Sequence, residues 1–311
     1  MAGPTTTSQI DQAVEKFVAK SRYTLQERKS VVRSSIRVES LPENEGPSVN
    51  IPKYGQVSTY ALTQGVDMTQ AQQITDTGMV ITPAEFGAQV ILTDMLLLEA
   101  KDSFFEVAAR ILADSFDRQQ DQTLCDDFDN FSIALGSAAT VLSVGHVMAG
   151  HASIKYNAPA NATPGRGGEP APDPTSLILT PAQIHALNKS LVGQVGGAVV
   201  LASGGTAATT SSPETGRAGP PEGSFTIPGL PGLTIKSDIN INKDSSDDAK
   251  GGLFSKEAMI LVELGSAAGV EKERDASLRA WELNYVGRWA RGEYEDDWGR
   301  EMLFDSALPT S

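Results

Sequence analysis

The sequence predicts an α+β fold in which helices and strands fall in separate blocks. Three observations carry this. An apolar stripe at helical spacing runs from Phe104 to Phe131, about eight turns of helix. Segments rich in Val, Ile, Thr and Tyr, alternating over short windows, precede it between 49 and 93 and return after residue 232, which is strand behaviour. No βαβ unit recurs along the chain, and no internal repeat of about 20 to 50 residues is visible.

Taken in order, residues 8–20 (SQIDQAVEKFVAK) place Ile10, Ala13, Val14 and Phe17 on one helical face with Ser8 as N-cap. The pattern then weakens into LPENEGPS, a linker by composition, so 1–48 reads as an N-terminal arm with one short helix. Residues 49–92 form a long β-excursion without Lys or Arg between Tyr54 and Ala100. An isolated two-stranded ribbon is marginal in water, so this segment is expected to lie across a neighbouring subunit. Residues 93–142 carry the longest helix, with Asp102 or Ser103 as cap and Phe104, Phe105, Ala108, Ile111, Leu112, Phe116, Leu124, Phe128 and Phe131 forming the stripe.

In residues 143–270, TVLSVGHVMAGHASIKYN predicts a shorter helix. SLILTPAQIHALNKSLVG predicts a strand, a Thr180 cap and a helix with Pro181 at its first position. Two Gly/Pro-rich stretches, NAPANATPGRGGEPAPDPT and SGGTAATTSSPETGRAGPPEGS, read as loops. GLTIKSDININ and EAMILVELG read as strands separated by a polar turn, KDSSDDAKGG. In the closing block, 271–311, ASLRAWELNYVGRWARGEYEDDWGREMLFDSA predicts two long strands around a turn near Arg291 and Gly292.

Composition narrows the function. The 311 residues are 40% apolar and 21% charged, with 29 Gly and 17 Pro, as expected of a folded protein with long loops. A net charge of −14 argues against a protein whose main task is gripping phosphate backbones. The local basic run is in the arm, where Lys16, Lys20, Arg22, Arg28, Lys29, Arg33 and Arg37 outnumber the acids. Cys125 is the single cysteine, which rules out an intrachain disulfide and fits assembly in a reducing cytoplasm. The N-terminal residues do not have the form of a secretory signal, and no run of about 18 apolar residues suggests a membrane span.

Catalytic signatures are missing. There is no Gly-x-Ser-x-Gly elbow, no phosphate loop and no His-Glu-x-x-His pair. His146, His151 and His185 read as ordinary surface or half-buried histidines, and Cys125 as a small packing residue. The remaining candidate is the run ADSFDRQQDQTLCDDFDNF, with six aspartates within sixteen positions. Asp114, Asp117 and Asp121 follow offsets of three and four, which puts them on one helix face. They could bind a divalent cation or move protons. The dicarboxylate pattern of helical metal sites pairs acids with Glu-x-x-His, however, and none occurs. The polar back of a structural helix is therefore preferred, its carboxylates facing solvent or a neighbour and pairing with arginines.

The order of parts, with ALTQGVDMT leading into TGMVITPAEFGAQVILTDMLLLEA, the helix from Asp102 to Phe131, SLILTPAQIHALNKSL, and the tail VEKERDASLRAWELNYVGRWARGEYEDDWGREMLFDSA, resembles the Hong Kong 97-type major capsid proteins of tailed bacteriophages. The resemblance covers about 50 to 311. It implies an arm, an extended loop, a spine helix in a peripheral domain, an axial domain, and return strands to the peripheral domain.

It further implies a non-enzymatic coat protein without cofactor that assembles into hexamers and pentamers of an icosahedral shell around double-stranded DNA. Partners would be further copies, a separate scaffolding protein, a portal and a decoration protein, with the virion capsid as location. Some relatives weld subunits through an isopeptide bond from a lysine in the extended loop; no Lys or Arg occurs here from Tyr54 to Ala100, so that chemistry is not expected. Shell proteins of encapsulin nanocompartments share the fold and form the alternative. A carboxylate-dependent metalloenzyme using Asp114, Asp117 and Asp121 is the remote one. Expected subunit contacts are the loop tip with Gln64, Gly65, Asp67 and Gln73, the turn with Arg288, Arg291, Glu293 and Glu295, and the helix acids Asp117 and Asp121.

Overall fold

A computed structural model describes residues 31–41, 47–54, 57, 59–65, 67–69, 71–99, 104–156, 169–194, 224–225, 230, 232–264 and 269–309. The helix expected over 8–20, the caps at Asp102 and Ser103, and most of both Gly/Pro-rich stretches lie outside these residues.

Long strand pairs arise where β-branched and aromatic residues alternate. β1 (Arg37–Leu41), β4 (Ala84–Thr93), β10 (Met259–Leu264), β11 (Gly269–Asp275) and β12 (Ala280–Glu293) build a five-stranded sheet. β12 is its axis. Its first part pairs antiparallel with β11 on one side and β4 on the other, and its last residues pair with β10, Ile260 standing opposite Gly292. β1 joins β10 in parallel. α1 (Asp94–Glu99) follows β4 directly, and α2 (Phe104–Asp126) lies on this sheet. Leu96, Ala108 and Leu112 pack there with Leu92 and Leu283. Phe116 tilts onto Tyr285 at 4.9 Å and lies so close over Gly287 that a Cβ there would sit 2.4 Å from the ring. The helix stripe is thus the core face over most of its length, though Ile111 points outward, 52% exposed.

The second sheet has six strands in the order β5-β13-β9-β6-β8-β7: β5 (Ala134–Gly136), β13 (Gly299–Asp305), β9 (Asp248–Ser255), β6 (Thr175–Leu179), β8 (Leu233–Ser237) and β7 (Ser224–Phe225). α3 (Val144–Tyr156) and α4 (Pro181–Gln194) accompany it. Every residue of β6, TSLIL, is buried, as expected of a central strand. α4 starts with a reciprocal cap: the Gln183 N–H donates to Thr180 Oγ1 at 3.3 Å, and the Thr180 N–H donates to Gln183 Oε1 at 3.1 Å. The main core unites Leu124 of α2 and Phe128 of the 3-10 turn that follows it with Leu177, Leu253 and Met302 of this sheet and Trp289 of the first. The C-terminal end of the spine helix is therefore the point where both sheets meet.

Two sequence expectations are corrected. The polar turn KDSSDDAKGG gives way at Asp248 to β9, which runs through its glycines. Gly252 is there because Phe128 occupies the space of a side chain, its ring 2.5 Å from where a Cβ would stand. The turn expected near Arg291 and Gly292 does not exist, because both residues continue β12 in register with β10. The chain reverses later, through a 3-10 turn at Asp296–Trp298, and the strands on either side of that turn belong to different sheets.

Candidate functional site

The extended segment leaves the body as a two-stranded ribbon. β2 (Val49–Tyr54) pairs antiparallel with β3 (Asp76–Ile81), which carries the chain back towards β4. The root is anchored. Ile51 and Ile81 bury against Ile260 and Val262 of the five-stranded sheet, Lys53 pairs with Glu295, and Tyr294 Oη donates to the Pro52 carbonyl at 3.4 Å. Beyond the root nothing among the described residues buries the segment. Leu62 is 62% exposed, Met68 70% and Ile74 65%, and Val57 and Val80 are exposed as well. Gln64, Gly65, Asp67 and Gln73, the expected contact residues, all stand in this exposed stretch, with Gly65 at φ +82° forming its turn. Left-handed backbone of this kind suits glycine. Apolar side chains this densely exposed mark a surface that another molecule covers.

The aspartate run is not one polar back. Asp117 is exposed, and burial raises its pKa against the pull of Arg33. Asp121, one turn further on, is 1% exposed. Its Oδ1 accepts the Val32 N–H at 3.2 Å and its Oδ2 accepts Asn240 Nδ2 at 2.9 Å. The expectation that Asp121 faces solvent or a neighbouring subunit is therefore wrong: it ties the segment before β1 and the loop after β8 to the spine helix. The partners stand 89 and 119 residues away in sequence, a separation over which spacing carries no signal.

Asp127 is also buried, with Arg291 Nε 3.0 Å from its Oδ2. Arg291 also donates to the Thr123 carbonyl, so this arginine of the expected contact turn is held inside its own subunit. Glu295 is likewise engaged by Lys53. Arg288 is exposed, and Glu293 is part-buried beside Asp296. Asp129 pairs with Lys250.

The metal reading can be tested on donor geometry. Among the described residues, the ligand-type atoms that converge belong to Asp121, Cys125 and Asp238, within 4.8 Å of one another. Asp114 and Asp117 do not join them. The cluster is organised by hydrogen bonds: Asp238 Oδ1 accepts the Asn240 N–H at 2.8 Å, and the Cys125 thiol points to Asp238 Oδ2 at 3.7 Å. Burial, then Asp238 and Asp121, push the thiol well above its ordinary range, so Cys125 is a donor there and not a thiolate.

The histidines also differ from one another. His146 closes the start of α3 with Ser143 Oγ at 3.0 Å from its Nδ1. His151 is buried, more so than expected, and burial and Lys155 lower its pKa. His185 borders a cavity of about 540 Å³ with Ser143, Lys189 and Asp305. No helix among the described residues is long and apolar enough to cross a membrane.

No protein-family model matches the sequence, and no curated protein matches it. Solved structures do. The chain is similar to the acidic stable capsid structure of Helicobacter pylori bacteriophage KHP30, with a TM-score of 0.69, 9% identity and coverage of 98% of each chain. It is similar to the capsid of Ralstonia phage GP4, with a TM-score of 0.67, 11% identity and coverage of 96% of each. The encapsulin complex from Synechococcus elongatus superposes with a TM-score of 0.60 at 8% identity, over 100% of this chain and 99% of that one. The α+β fold is thus the one these shell subunits share, the Hong Kong 97-type fold, and the superpositions span 96% to 100% of this chain.

Proposed function

We propose that the protein is the major capsid protein of a tailed phage, a non-enzymatic subunit that assembles into hexamers and pentamers of an icosahedral shell enclosing double-stranded DNA. The observation that carries this is the exposed apolar ribbon tip, 57–75, on a chain whose fold matches shell subunits from end to end. A monomer gains nothing from an arm that exposes Leu62, Met68 and Ile74 to water, whereas a neighbour in a closed ring can cover it with the same surface in every copy. Gln64, Gly65, Asp67, Gln73 and Arg288 are proposed contact residues, as is Asp117 on the exposed part of the helix.

A net charge of −14 suits a wall that must touch packed DNA without adhering to it. Scaffolding protein, portal and decoration protein are the proposed partners, and the virion capsid, assembled in the host cytoplasm, the proposed location. An encapsulin-type compartment is the second reading, favoured by the superposition on the Synechococcus shell.

Negative-stain microscopy of the purified full chain, alone and co-expressed with its neighbouring genes, tests both. Uniform icosahedral particles are expected. Nuclease-protected genomic DNA inside them supports the phage reading, and a protein cargo supports the compartment. A chain that stays monomeric under every condition overturns both.

A further inference from the structure

The five-stranded sheet has one covered face and one open face. Residues directly opposite in an antiparallel ladder point to the same side, so the register assigns each side chain to a face. Trp281, Leu283, Tyr285 and Gly287 of β12 face α2. Glu282, Asn284, Val286 and Arg288 point the other way, level with Ile91, Gln89, Gly87 and Glu85 of β4. Glu273 and Glu271 of β11 stand level with Glu282 and Asn284 on that same side. The ribbon root covers this side near β10, where Ile51 and Ile81 pack on Ile260 and Val262. Away from the root, Glu85, Gln89, Glu271 and Glu273 are exposed.

Charge is sorted between the two faces. β11 reads GVEKERD, an alternation that sends Lys272 and Arg274 to the helix side and Glu271 and Glu273 to the open side. Both cations are engaged where they point. Lys272 Nζ stands 3.7 Å from the Phe105 ring centroid and 4.1 Å from that of Trp281, and Arg274 holds Asp94 at 3.0 Å. On the open side Glu273 stands directly opposite Glu282, a like-charge pair that costs a sheet stability. Gln89 Nε2 donates to Glu282 at 3.1 Å. Among the described residues, however, Glu85, Glu271, Glu273 and Glu282 have no ion-pair partner. Arg288 is the one cation that β4, β11 and β12 send to this side.

The complementary charge is in the same sequence. Between 16 and 29 the arm carries Lys16, Lys20, Arg22, Arg28 and Lys29 against Glu27. Its helical pattern puts Ile10, Val14 and Phe17 on one stripe flanked by Lys16 and Lys20. That pairing of apolar and basic residues matches a face on which Ile91 and Val286 are half-buried among acids. The root of the arm points to a neighbour's face and not to its own. Val32 is tied to Asp121 of α2, and Arg33 to Glu263, on the helix side of the sheet. The acids stand on the opposite side.

We propose that the open face of β4, β11 and β12 is the docking surface for the basic arm, residues 8–29, of another copy of this chain, whose lysines and arginines meet Glu271, Glu273 and Glu282. Because a second copy is needed, the contact rests on the shell-subunit reading.

Zero-length carbodiimide coupling of the full chain tests it, with isotopically labelled and unlabelled copies mixed as dissociated subunits. Mass spectrometry is expected to find Lys16, Lys20 or Lys29 joined to Glu271, Glu273 or Glu282, with mixed-isotope pairs among them. Lys16→Glu with Lys20→Glu should cut the yield of these links about fivefold, the loss that two exposed ion pairs imply. Adding Glu271→Lys with Glu273→Lys should bring the links back in reversed polarity.

Links confined to one isotope, links from these glutamates to lysines outside the arm alone, or an undiminished yield in K16E/K20E overturns the proposal. K16E/K20E leaves every described residue unchanged, so it decides alone should E271K/E273K fail to fold. Particles in microscopy without these links overturn the arm contact and leave the shell reading standing. Mixed-isotope links without particles do the reverse.

Discussion

The ribbon and the end of the spine helix invert each other's appearance. The ribbon tip is apolar and almost free of charge, as a buried strand would be, yet its large side chains stand in water. The helix end is dense with aspartate, as a wetted surface would be, yet Asp121 and Asp127 are among the buried residues. Hydrophobicity reports what a side chain gains from burial, not whether its own chain supplies the cover. A carboxylate can enter a core when hydrogen-bond donors are brought to it. The ribbon waits for a partner from outside, and the helix end has its partners inside.

Replacing 57–73 with a short Gly/Ser turn cuts the ribbon side of this contrast and should have the largest effect. Particles are expected to disappear in microscopy while the thermal unfolding of the subunit barely moves, because the body does not bury this segment. A deletion that unfolds the subunit would show that the ribbon is intramolecular after all.

On the helix side, Asp121→Ala strands the Val32 N–H and Asn240 Nδ2 in the core, and about 3 kcal/mol of stability should be lost in denaturant titration. The exposed neighbour sharpens this: Asp117→Ala should stay within about 0.5 kcal/mol.

Arg291→Ala comes next. It leaves Asp127, which burial raises to about 6 even against the attraction of Arg291, as a buried acid without its cation and with Asn130 as its remaining donor. Such a group is neutral at low pH and costly when ionised. The loss should be about 2 kcal/mol at neutral pH and roughly half that near pH 5, where Asp127 is protonated. Melting curves at the two pH values measure the difference, and an equal loss at both would contradict the pairing.

A smaller loss than either buried acid gives is expected of Thr180→Ala, which removes the cap of α4 and the 2.6 Å contact with Ser306. About 1 kcal/mol should be lost by the same titration.

Much of this could be read along the chain because it rests on local chemistry. The reciprocal cap of α4 needs Thr180 and Gln183 three residues apart. The stripe of α2 needs apolar residues every three or four positions. β9 was hidden because Gly251 and Gly252 look like a turn until Ile178 and Leu179 are placed over the first and Phe128 over the second. Gly292 looked like a reversal until Ile260 stood opposite it in the ladder.

The amino-acid sequence by itself determined the α+β class, the helix with its core face, the capped βα unit and the uncharged extended segment, since each follows from periodicity, propensity and spacing within a few residues. Only the tertiary structure decided which aspartate is wet and which is core, and where the chain passes from one sheet to the other. Those outcomes depend on donors and charges as far as 168 residues away, as Arg291 is from Thr123, and no local pattern encodes such a meeting.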